Sequence, residues 1–203
     1  MIISHEYKFI FIKTRETAGT SIETFLSQHC GADDIFTPIT PCMAAHEPRS
    51  HEGFYNHMPA HEIRDQIGGE IWGEYFKFCV ERNPWDKMLS FYYFVRAFRY
   101  EGNPTLDDFF ELELSCVDWL LYTDPLHPQT LMVDKVLRYE ALAVGLSEVF
   151  SSLGVPFNGS LGVNAKSEFR TNRRPYQEIF TAEQAKKIEA AFDLEIQRFK
   201  YKF

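Results

Sequence analysis

Twice in this chain an apolar, strand-like run leads through a short turn into a helical pattern, and that repetition confines the fold to the alternating α/β class. The first instance, residues 10 to 23, reads Ile-Phe-Ile-Lys-Thr-Arg-Glu-Thr-Ala-Gly-Thr-Ser-Ile-Glu, with small residues in the turn. The second, residues 76 to 92, reads Phe-Lys-Phe-Cys-Val-Glu-Arg-Asn-Pro-Trp-Asp-Lys-Met-Leu-Ser-Phe-Tyr, with Arg82 at the strand end and Ser90 eight residues on. A helix start behind such a turn offers main-chain amides and a positive dipole end to an anion. Two of them suggest a ligand with two separated anionic groups.

Tyr7–Ile12, Tyr75–Glu81 and Val133–Tyr139 are the runs that read as strands, each followed by a helical pattern. A three-layer fold with a central, mainly parallel sheet flanked by helices is the expectation. Thr20 and Glu23 read as a capping box for the first helix, and Asn83 with Pro84 as cap and first residue of the second. Leu142 to Leu153 form a third amphipathic pattern ended by Gly154, and Thr181-x-x-Gln184 opens a fourth that runs on to Phe199. At 203 residues, with no repeat or linker-like tract, residues 1–203 are taken as one domain.

Charge narrows the partners. Lys and Arg total 21 against 29 Asp and Glu, and the net charge of −8 argues against a nucleic acid or an anionic membrane as partner. Cys30, Cys42, Cys79 and Cys116 are scattered, which reads as free thiols in a reducing compartment. No stretch approaches the roughly 20 apolar residues of a membrane helix, and no leader pattern opens the chain, so a cytoplasmic location is expected.

In the first turn Ala18 and Gly19 let the backbone approach a ligand, and the amides of Thr20, Ser21 and Ile22 point at it. The hydroxyls of Thr17, Thr20 and Ser21 add hydrogen-bonding groups, although the segment alone reads equally well as an ordinary capped helix. The nucleotide-hydrolase loop Gly-x-x-x-x-Gly-Lys-Ser/Thr is absent, which disfavours an ATPase or kinase. In the second turn Arg82 can fork onto a phosphate, and Ser90 reaches the same anion only if Arg82 folds back along the helix. His57 and His61 stand four apart, but Pro59 interrupts any helix that would pair them on a metal. His46 and His51 fall in a loop and are expected to be solvated. Lys166, Arg170, Arg173 and Arg174 gather positive charge near the C-terminus, and Arg96 and Arg99 follow Ser90.

Arg82-Asn83-Pro84-Trp85-Asp86 with Ser90 and Tyr92, joined to Thr17-Ala18-Gly19-Thr20-Ser21, resembles the sulfotransferase family in its bacterial and carbohydrate-type branch. Asn56-His57-Met58-Pro59-Ala60, Val136-Leu137-Arg138-Tyr139-Glu140 and the closing Phe199-Lys200-Tyr201-Lys202-Phe203 are similar as well. The resemblance implies a P-loop-like fold and 3′-phosphoadenosine 5′-phosphosulfate as donor. Thr17 to Ser21 would hold its 5′ end, and Arg82, Ser90 and Arg170 its 3′-phosphate. It further implies His57 as the base that takes a proton from a hydroxyl-bearing carbohydrate or small-molecule acceptor, with no metal needed. One position departs from the pattern. Glu16 stands where the family carries its loop lysine, so the missing charge falls to Lys13 and Arg15 as catalytic cations. The alternative is a catalytically impaired nucleotide-binding relative that acts in sensing or partner contact.

Overall fold

In the computed structural model, which describes residues 1–39, 46–98, 102, 104–162, 170 and 172–203, the three expected strands are present together with two further ones. In chain order the elements are β1 (Ile2–Ser4), β2 (Phe9–Phe11), α1 (Gly19–Leu26), β3 (Ile35–Phe36), α2 (Ala60–Ile67), α3 (Gly69–Glu74) and β4 (Phe76–Glu81). They continue with α4 (Pro84–Phe98), α5 (Leu106–Glu111), β5 (Lys135–Arg138), α6 (Leu142–Leu153), α7 (Ala182–Ala191) and α8 (Asp193–Phe199). The chain packs as two units, Met1–Glu81 with Asp118–Ala165, and Arg82–Val117 with Lys166–Phe203.

The first unit carries a five-stranded sheet in the order β3-β1-β2-β4-β5. β2 pairs parallel with β4 and β4 with β5, whereas β1 pairs antiparallel with both β2 and β3. Four strands therefore share one direction and β1 alone is reversed. The expected parallel sheet is thus complete over β2, β4 and β5 and mixed beyond them. A parallel pair needs a crossover, whereas β1 reaches β2 through a short turn.

Phe9, Phe11, Phe78 and Val80 of the sheet pack on Ile22, Phe25 and Leu26 of α1 and on Leu146, Val149 and Phe150 of α6. The Phe25 and Phe150 rings stack 5.7 Å apart at 11°. Each such ring removed from water is worth roughly 2–3 kcal/mol, so this layer holds the loops at the strand ends in place. His46 is only 3% exposed and meets Phe36 edge-on at 6.1 Å, contrary to the expectation of a solvated loop histidine. An imidazole against a phenyl face buries ring area that a solvated one would leave wet.

In the second unit, Trp85, Leu89, Phe91 and Tyr92 of α4 share a core with Phe109, Ile188 and Phe192. The Trp85 indole N–H donates to the Ala185 carbonyl at 3.0 Å, and Gln184 donates to Asp107 at 2.8 Å, tying α7 to α4 and α5. Thr181 and Gln184 make the expected capping box. The long fourth helix does not form as one piece. It breaks at Phe192, whose φ of −109° leaves the helical range, and the fully buried ring turns into the core.

Candidate active site

The first loop is closed from within. The Thr14 hydroxyl donates to the Val80 carbonyl on β4 and lies 2.9 Å from the Thr17 hydroxyl, itself 1% exposed. Of the three hydroxyls expected to face a ligand, that of Thr17 therefore serves the loop. Glu16 and Ala18 both take the left-handed conformation, with φ of 58° and 62°. Non-glycine residues pay of order 1 kcal/mol each for this, a cost that clusters where a backbone must be aimed.

Ala18 is the N-cap of α1, and no side chain caps that helix. The Ile22 amide is spent on the Ala18 carbonyl at 3.0 Å, which removes it from the amides expected to face a ligand. The capping box expected of Thr20 and Glu23 does not form. Glu23 is fully buried, and its carboxylate instead takes the Lys13 ammonium at 2.5 Å and the Met1 amine at 2.5 Å. Burial pushes the Glu23 carboxyl up, but those two cations outweigh it and hold the group at about 2.

Lys13 runs beneath the turn. A Cβ built on Gly19 would lie 2.7 Å from the Lys13 Cγ, so only glycine fits there. The side chain is 4% exposed, and its ammonium is paired with Glu23. Arg15 is anchored too, its main-chain N–H 2.6 Å and its Nη1 3.0 Å from the two oxygens of Asp118. Its side chain nevertheless remains 40% exposed.

His57 sits in the turn before α2, at φ 60°. Its Nδ1 lies 2.9 Å from the Lys13 carbonyl, an oxygen that only accepts, so Nδ1 carries the proton and Nε2 the lone pair. Burial, helped by the Lys13 charge and opposed by Asp118, lowers its pKa from 6.5 to about 4, which keeps the ring neutral at pH 7. Helix α2 begins after Pro59, so His57 and His61 do not share a helical turn. Among the described residues no group of three or more His, Cys, Asp or Glu is placed to hold a metal ion.

A cavity of about 520 Å³ opens beside this loop. Ala18 and Ser21 form one wall, and Tyr139, Leu142, Phe157 and Leu161 the others. That size and that mix of aromatic surface with a few polar groups suit a small organic ligand.

In the second unit Asn83 caps α4 as expected, its Oδ1 accepting from the amides of Trp85 at 3.1 Å and Asp86 at 3.4 Å. Arg82 does fold back along the helix. Its Nε and Nη2 donate to one oxygen of Asp86 at 2.9 and 2.6 Å, and Arg170 Nη1 donates to the other at 2.6 Å. Ser90 lies one turn beyond Asp86 on the same helix face. Arg82 and Arg170 are thus brought together on Asp86 at the start of α4, with Ser90 one turn further along that helix, while Arg173 and Arg174 are exposed. Cys42, Arg99, Tyr100 and Lys166 lie outside the described residues. The sequence reading missed Asp118 altogether and quoted Asp86 only as part of a motif: partners 103 and 84 residues distant leave no local trace, whereas the i,i+4 spacing of Arg82 and Asp86 was a signal that could have found that pair.

The first unit thus carries a helix start whose amides could meet an anion, and the second a pair of guanidinium groups held by one carboxylate. A profile of the sulfotransferase family matches residues 1–202, and the chain belongs to that family. An uncharacterized protein of Archaeoglobus fulgidus is 30% identical over 113 residues, spanning 94% of that relative and 55% of this chain. No helix among the described residues is long and apolar enough to cross a membrane.

Proposed function

We propose that this chain transfers a sulfuryl group from 3′-phosphoadenosine 5′-phosphosulfate to a hydroxyl of a carbohydrate or small metabolite. It would do so in the cytoplasm, as one functional domain over residues 1–203 with a three-layer, P-loop-like fold. The observation that carries this reading is the cavity walled by Ala18 and Ser21, because it sets a nucleoside-sized space directly against the first-turn amides of α1. Gly19, Thr20 and Ser21 hold the 5′ phosphosulfate in this reading, and Arg82, Ser90 and Arg170 hold the 3′-phosphate. Tyr139 and Phe157 offer ring faces to the base.

His57 Nε2 takes the proton of the acceptor hydroxyl as its oxygen bonds to sulfur and the bond from sulfur to the phosphate oxygen breaks. A pKa of about 4 keeps the ring neutral but makes it a weak base. The negative charge of a bound donor acts against Lys13 and raises that basicity. Of the two cations assigned to replace the family's lysine, Arg15 is the one retained here, since the Lys13 charge is spent on Glu23. Charge growing on the leaving phosphate is met by that guanidinium and by the loop amides.

Adenosine 3′,5′-bisphosphate, the desulfated product, is expected to raise the melting temperature, and a sulfate-transfer assay on the parent and Glu16→Lys then reads turnover. Faster transfer in the variant fits repulsion of the donor by Glu16. Failure of the bisphosphate to protect the fold at millimolar concentration would falsify the donor.

A further inference from the structure

We propose that Asp86 is a positioning residue: it holds Arg82 and Arg170 together as one receptor for a phosphate monoester, so that selectivity for a 3′-phosphate runs through a carboxylate that does not contact it. This deepens the donor reading above and rests on it. The two arginines, Arg82 and Arg170, stand 88 residues apart in the chain, and their guanidinium charges repel one another unless something lies between them. Asp86 does so with one oxygen for each partner. Oδ2 takes Nε and Nη2 of Arg82, and Oδ1 takes Nη1 of Arg170, which fixes the plane and direction of both.

The grip extends beyond the pair. Arg170 also donates through Nε to the Asn172 carbonyl at 3.2 Å and through Nη2 to the Arg174 carbonyl at 3.0 Å, shaping its own turn. Asp86 therefore also fastens that turn to the start of α4. The arginine side chains are 8% and 17% exposed and that of Asp86 23%, so the trio is shielded more than an ordinary surface ion pair. Burial raises the Asp86 carboxyl, but the two arginines outweigh it and hold it below the usual aspartate value, so the group stays ionised at neutral pH. One carboxylate holds the two guanidinium groups side by side, and the Ser90 hydroxyl stands one turn along the same face. A dianion fits such a site, and its arginines arrive already assembled.

A purely structural ion pair and a positioning carboxylate differ in selectivity. The test is calorimetry on the wild type, Asp86→Asn and Asp86→Ala with adenosine 3′,5′-bisphosphate and with adenosine 5′-monophosphate, alongside thermal melts without ligand. The wild type is expected to prefer the bisphosphate. Asp86→Asn, equal in shape but uncharged, is expected to weaken the bisphosphate about tenfold, the scale of one charge-assisted contact, and to leave the monophosphate within about twofold. Should Asp86→Ala fail to fold, the isosteric variant still decides. Parallel weakening of both nucleotides, or a bisphosphate affinity that holds or rises, overturns the proposal. A wild type that binds the two nucleotides alike refutes the 3′-phosphate reading itself, whatever the variants do, and this proposal falls with it.

Discussion

In the proposed reading, the two loops would meet an anion by opposite means. At residues 14–21 the backbone is the instrument: two left-handed residues aim it, and Lys13 and Arg15 are turned onto the carboxylates of Glu23 and Asp118. At α4 the side chains are the instrument, with Arg82 and Arg170 drawn onto one helix face by Asp86. The difference predicts opposite sensitivities. The first loop answers to lost packing and buried charge with lost stability, and the second answers to lost charge with lost binding.

The largest effect is expected from Lys13→Met, which keeps the stem and removes the ammonium. It leaves Glu23 short of a buried cation and should cost about 3 kcal/mol in urea unfolding. A loss under about 1 kcal/mol would mean that the inward charge is idle. Arg82→Gln sharpens the contrast from the other side. Bisphosphate affinity should drop by about 2 kcal/mol, near thirtyfold, because a charge-assisted fork is replaced by a neutral amide; an unchanged titration curve would remove Arg82 from the site.

Acidification gives the smallest and most selective effect. The unfolded chain protonates His57 near 6.5 whereas the folded one resists until about 4, so stability should decline as pH falls through that window. His46, lowered by burial as well, adds to the same slope, so His57→Gln should flatten the slope without abolishing it. The α4 site contributes nothing there. Asp86 sits below the ordinary 3.8 and resists protonation until the medium is more acidic still. Melts at a series of pH values on the parent and His57→Gln measure this directly, and superimposable curves would contradict it.

Much of the scaffold was legible because it obeys simple periods. The runs that became β2, β4 and β5 and the helices α4 and α6 all lie where alternation, caps and glycine stops put them. β1 and β3 escaped because their three and two residues sit in no longer apolar run, whereas the three residues of β2 lie inside the run Tyr7–Ile12. The capping boxes are more instructive. Thr181 with Gln184 and Thr20 with Glu23 look alike in sequence, yet only the first forms, because the Gln184 amide has no charge to satisfy elsewhere while Glu23 is claimed by buried cations. Arg82, His57 and Arg170 were expected from the motifs and the family resemblance. Asp86, which orients two of them, showed only its i,i+4 spacing to Arg82, since its pairing with Arg170 follows from the finished fold rather than from neighbours in the chain.

The methylene stem of Lys13 occupies the volume that any side chain at position 19 would need. Those two positions are therefore written as a pair, and across relatives they should vary together: a serine or alanine at the glycine's place ought to appear with a shorter residue six positions earlier. Grafting this turn into another protein would have to carry both residues at once.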